Sequence, residues 1–337
     1  MRRYILRRVA VMPLLLLGIV TLVFVVSRVA PADPLVTIVG ERNINNEEIV
    51  DAAKKQWGLD KSMPEQYVLY VKNLLHGDLG TSFRTRQPVT TDISNRLPAT
   101  LELTTTALII GVGTGVGLGI YSARRRNRFA DNTARFFGLL GSSLPAFWAA
   151  LLLLYVFYAN LGWLPGPGRL DPRTVAPPDV TGFMTIDSIL DRNWSTFREA
   201  VGHLILPAIV LGWGVTGIVL RLVRASLLDE LGSDYVRTAR AMGLSERDVV
   251  HGHAMRNALL PTITIVGFSF AFLLTNAFLT EIVFSWPGVG SYAVDAARQL
   301  DYPAIMGVSL LGGFAFLLTN LMSDTLYAVA DPRIRLS

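Results

Sequence analysis

Glu102, Asn276, Glu281 and Asp324 stand in or at the ends of long apolar stretches. Polar and ionisable groups there are costly, and they generally face a protein interior or a watery path. Two chemistries fit them. One is a polar translocation path, with Glu102 and Glu281 near the external mouth and Asp324 nearer the cytoplasmic end. The other is pairing with basic residues of a partner subunit or a nearby loop. The four histidines offer no metal site. His251 and His253 are two apart, so they point to different faces of a helix, and His76 and His203 are isolated. With no cysteine, disulfides, thiol catalysis and zinc–thiolate sites are excluded. No Ser-His-Asp grouping, paired-carboxylate signature or Walker P-loop occurs. The chain is therefore expected to bind no cofactor or metal and to hydrolyse no ATP itself. Energy for any active process must come from a separate subunit or an ion gradient.

Gly111, Gly113, Gly115, Gly117 and Gly119 alternate within one apolar stretch. A phosphate cradle of the form G-x-G-x-x-G would put its third glycine at Val116, Leu118 or Ile120, so that motif fails. The same residues make three overlapping G-x-x-x-G pairs, which let helices approach closely in lipid.

A polar segment, Ser233 to Pro261, lies between two apolar stretches. A membrane protein needs no such insert to stay in a bilayer, and its chemistry suits docking onto another protein. A helix is expected over Asp234–Met242, with Ser233 as N-cap and Asp234 favourable in the first turn. Gly243 stands where a left-handed C-terminal cap belongs. Ser245 can cap a second helix, with Asp248 at the capping-box position. A helix lying on the membrane surface is the competing reading. The small residues Ala239, Ala241 and Gly243 argue against it, because they suit insertion into a protein groove.

These residues must be carried by a membrane scaffold. The chain has 337 residues, 51% hydrophobic and 17% charged, against about a quarter charged in an ordinary soluble domain. The apolar excess sits in runs of about 20 residues, enough to cross about 30 Å of hydrocarbon. Six spans are expected, at 9–29, 99–121, 135–160, 202–224, 259–284 and 305–329, giving an all-α polytopic membrane protein. The net charge of +5 does not imply nucleic acid, because the arginines cluster beside apolar spans. A cleaved signal peptide ending at Ala30-Pro31-Ala32 competes for the first span, but Val9–Ser27 is long for a signal core of about 7–15 residues.

Orientation follows from Arg and Lys near the spans. Arg2, Arg3, Arg7 and Arg8 precede the first. Arg124, Arg125, Arg126, Arg128 and Arg135 surround the loop after the second. Arg221, Arg224, Arg237, Arg240, Arg247 and Arg256 follow the fourth, and the tail ends Asp331-Pro332-Arg333-Ile334-Arg335. Six spans put all four basic clusters and both termini on the cytoplasmic side. Residues 31–98 are too long for a bare connector and are expected to form a small, mostly helical external subdomain. Residues 161–201, with five prolines, are expected to be an ordered external loop.

Tyr235 to Gly243 resembles the EAA loop of ABC importer permeases, the element that seats in a groove on a cytoplasmic ATPase. Arg237 and Thr238 stand at the first two positions of the general Glu-Ala-Ala-x-x-x-Gly pattern, and Ala239 and Gly243 are retained. Leu260-Pro261 lies 17 and 18 residues after Gly243. Both departures resemble the dipeptide and oligopeptide permease subfamily. Leu97-Pro98-Ala99-Thr100-Leu101-Glu102-Leu103, Gly77 to Phe83, Glu281 to Gly290, Asp301-Tyr302-Pro303 and Asp331-Pro332-Arg333 are similar to that subfamily, in order and over nearly the whole chain.

The resemblance implies six helices of the type I importer fold. Residues 1–30 would hold the N-terminus and first span, 31–98 the external subdomain, and 99–337 the permease core with its coupling region at 225–258. It implies ATPase coupling through Tyr235, Arg237, Thr238, Ala239, Met242, Gly243, Arg256, Asn257 and Pro261. It implies a second homologous permease, two cytoplasmic ATPase domains carrying ATP and Mg, an external solute-binding protein or lipoprotein, and a peptide substrate. The alternatives are the same architecture carrying nickel, glutathione or another small solute, and an ion-coupled secondary transporter. The absence of a repeated half weakens the last.

Overall fold

The computed structural model describes residues 2–29 and 34–330. Among those residues every named element is helical, with one isolated β-bridge between Thr81 and Pro88. The first long rod is α1 (Arg2–Val29). Then come α2 (Leu35–Val39), α3 (Glu47–Gln56) and α4 (Met63–Leu75). They are followed by α5 (Val89–Arg124), α6 (Phe129–Ser143) and α7 (Ala146–Leu153), which continues as a π-helical stretch over Leu154–Asn160. After α8 (Met184–Leu190) comes the longest helix, α9 (Trp194–Leu231). The polar insert holds α10 (Asp234–Ala241), α11 (Glu246–Asp248), a π-helical stretch over Val249–Ala254, and α12 (Met255–Ala258). The rest is α13 (Leu260–Val283), α14 (Val289–Arg298) and α15 (Tyr302–Ala330). Ala30-Pro31-Ala32 and the 331–335 tail lie outside the described residues.

Five helices are long and apolar enough to cross a membrane, and six if α6 and the α7 limb count as one bent span. The span expected at 135–160 corresponds to this bent pair of helices. Its two limbs, Phe129–Ser143 and Ala146–Asn160, are bent by 110° at the break. Pro145 explains the break. It brings no N–H, and its ring pushes Leu144 out of the helical region, to φ −78° and ψ 135°.

The core is built around α9, which packs on α5 and α6. Gly111, Gly115 and Gly119 face Val215, Val219 and Val223 across the α5–α9 seam. A Cβ on Gly111 would lie 2.6 Å from the Gly212 carbonyl oxygen, and one on Gly115 would lie 2.7 Å from Val219 Cβ. Lipid tails are as apolar as leucine, so such contact, rather than hydrophobic exclusion, holds membrane helices together. Gly113 and Gly117 have open space at the Cβ position, so the third expected G-x-x-x-G pair is not part of this seam.

Residues 34–88 form a small cap of short helices over one end of the bundle. Asn46 caps α3 by accepting from the Glu48 and Ile49 N–H groups. Glu65 accepts from both the N–H and the hydroxyl of Ser62 at the start of α4. Phe24, Ile38, Ala53, Phe83 and Tyr302 bury the cap against α1 and α15. The boundary expected at residue 98 falls inside α5, which begins at Val89 directly after Pro88. Asp92 sits in that first turn, the favourable end of the helix dipole.

Candidate functional site

The polar insert leaves α9 at Gly232. Ser233 is extended, at φ −72° and ψ 156°, and opens α10 as expected. Its hydroxyl does not cap forward; it donates back to the Glu230 carbonyl at 2.6 Å. Val236 and Ala239 point inward, at 0% and 3% exposure. They pack with Ala123, Leu227, Val249, Val250, Ala254 and Ala258. The small size of Ala239 therefore serves a seam within the chain, which corrects the expectation that it enters a partner's groove. The outward residues are Tyr235, Arg237, Thr238, Ala241 and Met242, with Met242 70% exposed.

Gly243 ends the helix at φ +81°. Its N–H reaches the Arg240 carbonyl and the Leu244 N–H reaches the Ala239 carbonyl. Those two bonds make a Schellman cap. Arg240 donates to Glu246 at 2.7 Å across the turn and holds that carboxyl below the usual range. Ser245 accepts from the Asp248 N–H and starts α11. The expected second helix runs on through π-helical Val249–Ala254 into α12. Pro261 stands in the first turn of α13, where its missing N–H leaves no bond unmade.

Tyr235 ties the insert together. Its hydroxyl donates to Glu230 at 2.6 Å and accepts from Asn257 at 3.2 Å. Burial first, then the Glu230 carboxylate, pushes the phenol pKa up. The ends of α9, α10 and α12 thus meet on one side chain. Arg256 is exposed beside Asn257.

Beneath this platform is a brace that the sequence reading missed. Arg224 grips Asp131 with two bonds, 2.8 and 2.7 Å, while the Ser122 hydroxyl and Asn127 N–H also donate to it. Asp131 is fully buried. The signal was an acid inside an arginine-rich turn, and only the fold shows which arginine it meets.

At the opposite end, Glu102 and Glu281 are 2% and 0% exposed. Glu102 pairs with Arg169 at 2.5 Å and accepts from the Thr185 N–H and hydroxyl. Its partners come from the nearby loop. Glu281 accepts from the Thr100 hydroxyl at 2.7 Å and the Ser291 N–H at 2.8 Å. A Cβ on Gly288 would lie 2.3 Å from a Glu281 oxygen, which accounts for that glycine in the Trp-Pro-Gly-Val-Gly run. Trp286 donates to the Ala99 carbonyl, and the Val289 N–H donates to Thr100. Among the described residues, both carboxylates are buried and held by these donors. Asn276 is exposed and donates to its own helix at Phe272; the Asp324 side chain lies outside the described residues. Asp301 gathers the Ser82 hydroxyl and the Phe83 and Arg84 N–H groups, fastening the cap to α15. Asp92 receives the Thr85 and Tyr292 hydroxyls.

Two family models account for most of the sequence. The model described as "Binding-protein-dependent transport system inner membrane component" matches residues 115–336. Its N-terminal companion matches residues 1–104. The chain belongs to this family. As a member of it, with five or six spans by length and composition, it is a multi-pass membrane protein. A probable D,D-dipeptide transport system permease protein of Escherichia coli (strain K12) is 43% identical over 321 residues, covering 95% of this chain and 94% of that protein. A di/tripeptide transport system permease protein of Pseudomonas aeruginosa (strain UCBPP-PA14) is 41% identical over 335 residues, 99% of each. A dipeptide transport system permease protein of Alkalihalophilus pseudofirmus is 40% identical over 335 residues, covering 99% of this chain and 100% of that protein. The permease fold, with its cap, braces and glycine seam, is what the described residues build.

Proposed function

We propose that this chain is the permease subunit of an ATP-driven di- or oligopeptide importer, forming half of the pathway beside a second, homologous permease. Two ATPase domains carrying ATP and Mg dock on the cytoplasmic face, and a solute-binding protein or lipoprotein delivers peptide outside. Both termini and the polar insert are cytoplasmic, and the 34–88 cap is external. The observation that carries this reading is the insert: an outward edge of Tyr235, Arg237, Thr238 and Met242 on a buried Val236–Ala239 seam. The peptide names of relatives at 40–43% identity support the cargo.

In this mechanism ATP closes the ATPase pair and moves α10. The Schellman turn, the Tyr235 tie and the short turn at Leu259 between α12 and α13 pass the movement to α9 and α13. Swinging a two-state cavity from 1:99 to 99:1 takes about 5.5 kcal/mol of differential affinity. The test is affinity purification of the chain from native membranes, with ATPase assayed on what co-purifies. Recovery of a P-loop ATPase and a second permease, with hydrolysis stimulated by dipeptide and binding protein, is the expected result. A chain that purifies alone and transports in liposomes under a proton or sodium gradient without ATP contradicts it.

A further inference from the structure

An open cavity of about 870 Å³ runs between α5, α13, α14 and α15, away from the insert and with Thr100, Val289 and Gly290 of the Glu281 network at its edge. Its lining is overwhelmingly apolar, and its hydroxyls are already committed. Thr275 donates to the Ala271 carbonyl, Thr319 to the Ala315 carbonyl, and Thr100 to Glu281. A peptide backbone placed here would leave its own polar groups unpaired, which is costly away from water. A hydrocarbon chain loses nothing.

Among the described residues, Arg298 is the one charged side chain in the lining, and no acidic residue joins it. Arg298 closes α14 at the end of the bundle that carries the cap; it is exposed and has no hydrogen bond or ion pair among the described residues. The nearest acid along its helix, Asp295, is taken by Arg84. From Val308 to Met322 the groove follows α15 for about 21 Å at 1.5 Å per residue, against a leaflet about 15 Å deep. A cation at the headgroup level and an apolar channel of acyl-chain length form one amphiphile site.

We propose that this groove holds a membrane phospholipid with an anionic headgroup, one acyl chain along α13 and α15 and the phosphate on Arg298. The assembled complex is exchanged into mixed phosphatidylglycerol and phosphatidylcholine micelles, and retained lipid is counted by mass spectrometry. Wild type should retain phosphatidylglycerol preferentially. Arg298→Gln should lower that preference about fivefold, the attraction of one basic residue to an anionic lipid surface. Ala315→Trp, which fills the groove, should lower retention of both lipids. Should Ala315→Trp fail to assemble, Arg298→Gln decides alone, because Arg298 is exposed and makes no bond among the described residues. Unchanged retention in the variants overturns the proposal. So does a photoreactive side chain at position 315 that cross-links to the second permease or to peptide instead of lipid.

Discussion

Asp131 shows what a single buried charge demands. Four donors surround it, and two belong to Arg224. Removing one partner of a buried ion pair leaves an uncompensated charge and costs about 3–5 kcal/mol. Arg224→Gln should therefore sharply lower the thermal stability of the purified protein. The Asp131→Asn/Arg224→Gln double variant should recover much of the loss, since it removes the orphaned charge. Additive losses across that double-mutant cycle would show that the pair is not coupled. Neither residue was legible as a partner from sequence, because they lie 93 positions apart and arginines are common at that face. Glu102 and Glu281 were legible as exceptional, since each interrupts an apolar run. Their partners, Arg169 and Thr100, depend on how a proline-rich loop and a re-entering turn fold back. That is long-range geometry, which no local pattern carries.

Among the elements, the α5–α9 seam makes the sharpest distinction. Gly115 abuts Val219, whereas Gly117, two residues on, has open space beside it. Gly115→Leu should force the helices apart, costing about 1–3 kcal/mol or more as overpacking does, while Gly117→Leu leaves thermal stability nearly unchanged. Equal effects from the two substitutions would mean the seam is placed wrongly. The run of alternating glycines announced close packing, but which half of them faces α9 follows from the helix's rotation. The loop before α9 has its own anchor. Burial alone would raise the Asp187 pKa, but the Thr181 hydroxyl and the Thr181, Gly182 and Val180 N–H groups outweigh it and hold the carboxyl below its ordinary value. A depressed folded pKa means that the ionised form stabilises the loop. The contribution is present above the unfolded pKa of about 3.9 and is lost as pH falls through the lower folded value. Asp187→Asn should thus be less stable than wild type at neutral pH, with the gap closing in acid below about pH 4. A gap that widens on acidification would reverse the sign and refute the assignment.

At the scale of the whole molecule, the two ends of the bundle do different work. One end is stapled: Asp301 gathers three donors from the cap, and Asp92, Glu102 and Glu281 each gather donors from two segments. The other end carries the insert, whose outward edge of Tyr235, Arg237, Thr238 and Met242 is exposed. The helices α13 and α15 begin and end close to the apolar runs at 259–284 and 305–329, whereas α9 extends well beyond the run at 202–224 on both sides. Hydropathy did not read the Pro145 bend as two limbs, and it placed the start of α5 ten residues late, since the helix begins in a polar stretch before the apolar one. The insert was legible because its caps are local chemistry: Gly243 is left-handed as its position demands. The inward turn of Ala239 was not legible, because the platform that receives it comes from α5, α9 and α12.

In the proposed mechanism this insert transmits ATPase movement to the spans. The direct measurement is peptide uptake by Gly243→Val in the reconstituted complex, compared with wild type at equal membrane abundance. A Cβ at Gly243 meets nothing within 4 Å, so the substitution acts through the left-handed backbone alone, which a β-branched residue adopts with strain. The account predicts that the variant inserts into the membrane normally but loses uptake, with hydrolysis no longer stimulated by peptide and binding protein. Normal uptake at equal abundance would contradict it.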